Sequence, residues 1–101
     1  MKNIEEYSIK IIAAVGSAKS KYLEALKLAG CKEFERAANC VEEGKEMFLE
    51  GHKVHAELLG KSAGAEDVTV SLLLAHAEDQ LMSAETIQIM VEEFIKVYKT
   101  L

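Results

Sequence analysis

The chain contains no proline and no tryptophan, and only two of its 101 residues are cysteines. Proline removes a backbone donor and clashes with the preceding turn, so its absence favours long uninterrupted helices. Cys31 and Cys40 fit no metal-ligand spacing, and reduced thiols in a cytoplasmic protein are the simplest reading of them. Basic residues are in the minority, 12 against 17 acidic, for a net charge of −5. That balance argues against nucleic acid and anionic membrane as main partners, because both are bound by basic patches. No apolar run approaches the roughly 20 residues that span a bilayer, which predicts no direct membrane insertion. The first residues, MKNIEEYSIK, lack the apolar block of a signal peptide. There is no G-x-x-x-x-G-K-[ST] phosphate loop.

What remains is helix-forming material. Half of the residues are hydrophobic, and the strong helix formers Ala, Leu, Glu, Lys and Met are plentiful. The length suits one domain over residues 1–101, and a chain this small often oligomerises to cover its surface. Ile4, Ile11, Val15, Ala18, Tyr22, Ala25 and Ala29 recur with helical period and predict a first helix over about Ile4–Ala29. Gly30 is expected to end it in the left-handed conformation. Gly16 is expected to admit a neighbouring helix closely, or else to clear space with Ser17 beside a functional group. Phe34, Ala37, Val41, Gly44, Phe48, Gly51, His55 and Leu58 mark a second helix. The short connection before it makes the two antiparallel neighbours. Gly44 and Gly51 should let their backbones approach. A loop at Gly60–Asp67 follows, with Asp67 or Thr69 capping a third helix over about Val70–Tyr98. Val68, Val70 and Leu72 read as its extended lead-in. The fold class is therefore all-α, a three-helix bundle.

The third helix carries the chemistry. A stripe stepping by four and three residues runs through Leu72, His76, Asp79, Ser83, Thr86 and Met90, and is expected to face inward. Polar side chains there are costly unless they are hydrogen-bonded, paired or in use. His76 is set among Leu74, Ala75 and Ala77. A neutral imidazole in such a place has one nitrogen free as a nucleophile while the other can be held by a hydrogen bond; the alternative is a satisfied core histidine. Asp79 could orient His76, bind a metal, or meet copies of itself at an oligomer axis. Ser83 and Thr86 are expected to bond back to helix carbonyls. Leu74, Leu81, Ile87 and Ile95 fall off this stripe, so a helix about 42 Å long needs cover from neighbouring subunits as well. His52 and His55 lack both the zinc-protease spacing and the Glu-x-x-His of di-iron bundles, and are expected to be structural or near a site without being ligands.

The segment VSLLLAHAEDQLMSA at Val70–Ala84 resembles V-S-L-x-L-V-H-A-Q-D-H-L-M-T of the lactose and cellobiose/chitobiose family of enzyme IIA components of the bacterial sugar phosphotransferase system. IIAAVGSAKS at Ile11–Ser20 is similar to that family's I-I-x-x-A-G-x-A-R-S, and the Gly51–His52 region is similar to its A-H-x-x-Q-T-x-L-I. The likeness covers nearly the whole chain. It implies a homotrimer of antiparallel three-helix chains in which His76 is the phosphorylated residue. It further implies transfer from the phosphocarrier HPr to a cysteine of the sugar-specific IIB component, for uptake of a lactose- or cellobiose-type disaccharide. Asp79 would lie on the trimer axis, with one Mg2+ bound per trimer; a hard cation satisfies clustered oxygen ligands. Glu78 and Gln80 stand where the family commonly has glutamine and histidine, and His55-Ala56 replaces its Q-T. Glu78 repels a phosphoryl group if it points at the site and is harmless if it faces solvent.

Two other functions fit the residues. One is a non-catalytic or regulatory helical oligomer, in which His76 and Asp79 only specify assembly. The other is a metal-dependent hydrolase using His52, His55 and His76.

Overall fold

The computed structural model describes residues 4–64 and 69–101. Three helices account for nearly all of them: α1 (Ile4–Gly30), α2 (Phe34–Ser62) and α3 (Leu72–Lys99). The bundle is a rod of 53 × 19 × 16 Å. It runs up, down and up, with α2 antiparallel to both others. α1 is the central element. It packs along both α2 and α3, while α2 and α3 touch each other sparingly.

The α1 stripe is buried as its periodicity requires. Ile11, Val15, Ala18, Tyr22, Ala25 and Ala29 have no exposed surface. One end of the core joins Ile11 and Val15 to Leu58, Leu74, Ala77, Leu81 and Ala84. The other joins Tyr22 and the α1 alanines to Ala37, Val41 and Val91. Gly44 and Gly51 are the points of closest helix approach. A Cβ at Gly44 would lie 2.5 Å from the Tyr22 ring, and one at Gly51 would lie 2.8 Å from Val15 Cγ1. Gly16 is not a third such point, because a Cβ there meets nothing within 4 Å; of its two expected roles, only the clearing of space fits.

The end of α1 also differs. Gly30 is its last helical residue, and the left-handed position falls on Lys32 at φ 65°. The Lys32 amide bonds to the Ala29 carbonyl at 2.9 Å and the Glu33 amide to the Leu28 carbonyl at 2.9 Å. That is the paired 5→2 and 6→1 pattern of a Schellman cap. A lysine in this conformation carries a steric penalty of about 1–2 kcal/mol. Its side chain gains a partner there: Nζ donates to the carbonyls of Tyr98 and Leu101, at 3.1 and 3.0 Å, and so caps the end of α3. At the other end of α3 the N-cap is Ser71, whose hydroxyl accepts from the Leu74 amide at 3.1 Å, and not Thr69. Asp67 and Val68 lie outside the described residues.

The largest correction concerns α3. Its buried stripe is Leu74, Ala77, Leu81, Ala84 and Val91. The stripe through His76, Asp79, Thr86 and Met90 faces outward, with Leu72 88% exposed at its start. Ser83 is half-buried and Thr86 bonds back to the Met82 carbonyl at 3.2 Å. Periodicity correctly identified two stripes, but α1 takes the one that lacks polar residues, because only that one can be buried without stranding donors and acceptors.

The two thiols are also distinguished. Cys31 is exposed, while Cys40 is buried and burial pushes its thiol up. Alkylation follows the thiolate and its access. Iodoacetamide is expected to modify Cys31 at a rate at least about tenfold above Cys40 in the native protein, with the two equalising in denaturant, as read by peptide mass spectrometry. Equal native rates would show that the α2 packing around Cys40 is open.

Candidate functional site

α3 presents the candidate residues in order around one stretch. His76 and Asp79 are both exposed on its outward side. At about 100° per residue, Gln80 lies about 40° from His76 on one side, Asp79 about 60° away on the other, and Glu78 about 200° round. Glu78 and Gln80, the two α3 residues that depart from the resembled pattern, each have a partner on another helix.

Glu78 turns towards α2. His55 Nε2 contacts its Oε1 at 2.7 Å and its Oε2 at 2.9 Å, with the His55 side chain 14% exposed. Glu78 therefore neither points at His76 nor simply faces water. Its carboxylate is held on the flank of α3 away from the histidine. Gln80 turns towards α1, where its Oε1 accepts from Lys19 Nζ at 3.0 Å. This bond brings a cation to the His76 side of α3. Below it, Tyr22 donates to Gln88 Oε1 at 3.5 Å, and on the α2 flank Lys45 pairs with Glu92 at 2.9 Å, which raises the Lys45 ammonium above its usual range.

His52 is exposed and stacks on Phe48 with 6.3 Å between ring centroids. It opens onto a groove with Lys45, Glu85 and Gln88, further along α3 than His76. Among the described residues, no group of three His, Cys, Asp or Glu is placed to hold a metal ion. The zinc-hydrolase reading of His52, His55 and His76 therefore loses its geometric basis. Asp79 alone offers one hard oxygen donor group, so one chain does not form a cation site and several copies would be needed. Gly16 and Ser17 are partly or fully exposed on α1, leaving open space beside them.

Sequence reasoning singled out His76 and Asp79, and it noted each departure, but it did not join them into pairs. His55 and Glu78 both stand where the resembled pattern has glutamine, and they are the two side chains that pair.

Three comparisons bear on the whole chain. The family model described as PTS system, Lactose/Cellobiose specific IIA subunit matches residues 6–99. The chain is 34% identical over 96 residues to the PTS system lactose-specific EIIA component of Staphylococcus epidermidis, covering 95% of this chain and 92% of that one. It is 31% identical over 98 residues to the lichenan-specific phosphotransferase enzyme IIA component of Bacillus subtilis, covering 97% and 89%. The crystal structure of the PTS cellobiose-specific enzyme IIA from Bacillus anthracis superposes with a TM-score of 0.92 at 34% identity, over 99% of this chain and 92% of that one. No helix among the described residues is long and apolar enough to cross a membrane. The chain therefore belongs to the lactose/cellobiose-specific IIA family of the sugar phosphotransferase system, and is a phosphotransferase component of that system.

Proposed function

We propose that His76 is the residue that carries the phosphoryl group, accepting it from phospho-HPr and delivering it to a cysteine of a IIB component during uptake of a lactose- or cellobiose-type disaccharide. The observation that carries this reading is the position of His76 on the edge of the outward face of α3, on the side where Gln80 meets Lys19 of α1, inside the segment most similar to the family pattern. A carrier must meet two different proteins in turn, so its acceptor must be reachable.

In the first step a lone pair on one His76 nitrogen attacks phosphorus in line. The new N–P bond forms as the N–P bond to the donor histidine breaks, and the leaving imidazole keeps the electron pair. Delivery reverses the roles: a thiolate of IIB attacks, an S–P bond forms, and His76 leaves with its electron pair. Neither step asks for covalent work beyond positioning and charge stabilisation. The Glu78 carboxylate, bound to His55, stays off the path.

The assembly is a homotrimer built on the outward face of α3. Leu72, Met82, Ile89, Met90, Phe94 and Val97 are all at least 45% exposed on it, an apolar face larger than a monomer of this size usually leaves in water. Asp79 lies within the same face. Three copies on an axis would set three carboxylates together, which like-charge repulsion forbids without a counter-ion. A divalent cation such as Mg2+, one per trimer, supplies that charge compensation.

Incubation with phosphoenolpyruvate, enzyme I and HPr is expected to add about 80 Da, the mass of one phosphoryl group, per chain. His76→Ala is expected to abolish the addition. A wild-type protein left unlabelled by its cognate HPr would favour the non-catalytic oligomer instead.

A further inference from the structure

We propose that Lys19 is a catalytic residue of the phosphotransfer, a cation held by Gln80 that contacts the phosphoryl group on His76. The inference rests on the reading of His76 as the acceptor.

His76 and Gln80 are four residues apart on α3, so their Cβ atoms are roughly 5–6 Å apart on one face. The Gln80 side chain accepts from Lys19 Nζ at 3.0 Å. The ammonium therefore sits within about one helical turn of the imidazole, on the side of His76 opposite Asp79. Lys19 is half-buried, its stem lying on α1 and its head crossing to α3. An ammonium has three donors and Gln80 takes one of them; the others remain for an incoming acceptor.

The chemistry needs such a group. A phosphoryl group brings up to about two negative charges and three acceptor oxygens. The charged side chains of α3 beside His76 are both carboxylates, Glu78 and Asp79. Glu78 is held towards α2 by His55, and Lys45 pairs with Glu92, about 24 Å further along α3 from His76. Lys19, held by an uncharged partner, keeps its full charge for the phosphoryl oxygens. A carboxylate in place of Gln80 would neutralise it. The amide orients the ammonium without cancelling it, which makes Gln80 a positioning residue.

The test uses the full chain and follows the initial rate of His76 phosphorylation by phospho-HPr. Lys19→Met keeps the apolar stem and removes the charge; it is expected to lower the rate on the order of tenfold to a hundredfold, less than the loss of a fully enclosed donor because the site is open to water. Lys19→Arg should recover the rate to within a few-fold, since a guanidinium also donates to phosphate. Gln80→Leu should slow the reaction alone but add nothing to Lys19→Met. The 31P resonance of phospho-His76 should move in Lys19→Met, which loss of a merely structural contact would not produce. A Lys19→Met protein labelled at the wild-type rate would overturn the inference while leaving His76 as carrier, and so would equal defects in Lys19→Met and Lys19→Arg. Additive effects of Lys19→Met and Gln80→Leu would remove Gln80 from the argument. Failure of wild-type labelling would remove the carrier reading itself, and this inference with it.

Discussion

Gly44→Ala is expected to lower the melting temperature, although alanine is the better helix former. In an open helix position the exchange gains about 1 kcal/mol. At Gly44 the new methyl would stand 2.5 Å from one ring carbon of Tyr22 and 2.8 Å from the next. Tyr22 has no exposed surface, so its ring has no empty space to enter, and α1 and α2 must separate. Overpacking of a close-packed core costs about 1–3 kcal/mol. The net loss is up to about 2 kcal/mol, and for a chain of this length each kilocalorie corresponds to about 4–8 °C.

The internal control is Gly16→Ala. That residue is also in the middle of a helix, and a Cβ there meets nothing within 4 Å. The propensity gain is unopposed, so this variant should melt a few degrees higher, by up to about 1 kcal/mol. Circular-dichroism melts at one protein concentration separate the two; the concentration must be fixed because association shifts the midpoint. A Gly44→Ala protein as stable as Gly16→Ala would show that α1 and α2 are not in close contact at Tyr22.

These two glycines also illustrate what could be read without coordinates. The helices and their order follow from periodicity and from missing proline, both local properties of the chain. Gly44 and Gly51 lie on the apolar stripe of α2, so their close packing was legible. Gly16 lies beside the α1 stripe and not on it, and its neighbours depend on where α3 crosses, which no local pattern encodes. The α3 stripes were inverted for a related reason. Both have helical period, and the choice between them is made by α1, whose Ile11 and Val15 receive Leu74, Ala77, Leu81 and Ala84. The Schellman cap at Lys32 was hidden because its compensation, the carbonyls of Tyr98 and Leu101, comes from the far end of the sequence.

The candidate site shows the same division. His76 and Asp79 stand out in the sequence only on the expectation that their stripe faces inward, and the structure turns that stripe outward. Their setting was not legible. Whether Glu78 opposes the chemistry depends on its rotation of about 200° from His76 around α3 and on the imidazole that waits on α2. A helix surface places residues two apart on different faces, so a charge adjacent in sequence is taken out of the site by geometry. His55 then fixes it there, with two contacts under 3 Å. The substitutions at positions 55, 78 and 80 are thus compatible with phosphotransfer. The His55–Glu78 pair holds the carboxylate off the His76 side of α3, and the Lys19–Gln80 bond sets a cation on that side.

Met90→Asp is expected to convert the proposed trimer into single chains. Met90 is 50% exposed on the outward face of α3, between Ile89 and Phe94. In the trimer three copies would be buried around one axis, and three added carboxylates would be desolvated together without a counter-ion, each at a cost of several kcal/mol. Sedimentation equilibrium should therefore give about three times the 11.1 kDa chain mass for the wild type and the chain mass for the variant. The fold of each chain should persist, because Met90 contributes nothing to the buried α3 stripe. Asp79→Leu is the complementary change. It removes three like charges from the same axis and replaces them with apolar packing, an exchange that often stabilises an assembly by about 1–4 kcal/mol. The trimer should survive and melt higher, and the divalent cation should be lost, as measured by isothermal titration with Mg2+. Retained cation binding in Asp79→Leu would place the metal elsewhere, and an unchanged mass in Met90→Asp would place the subunit contact on another face.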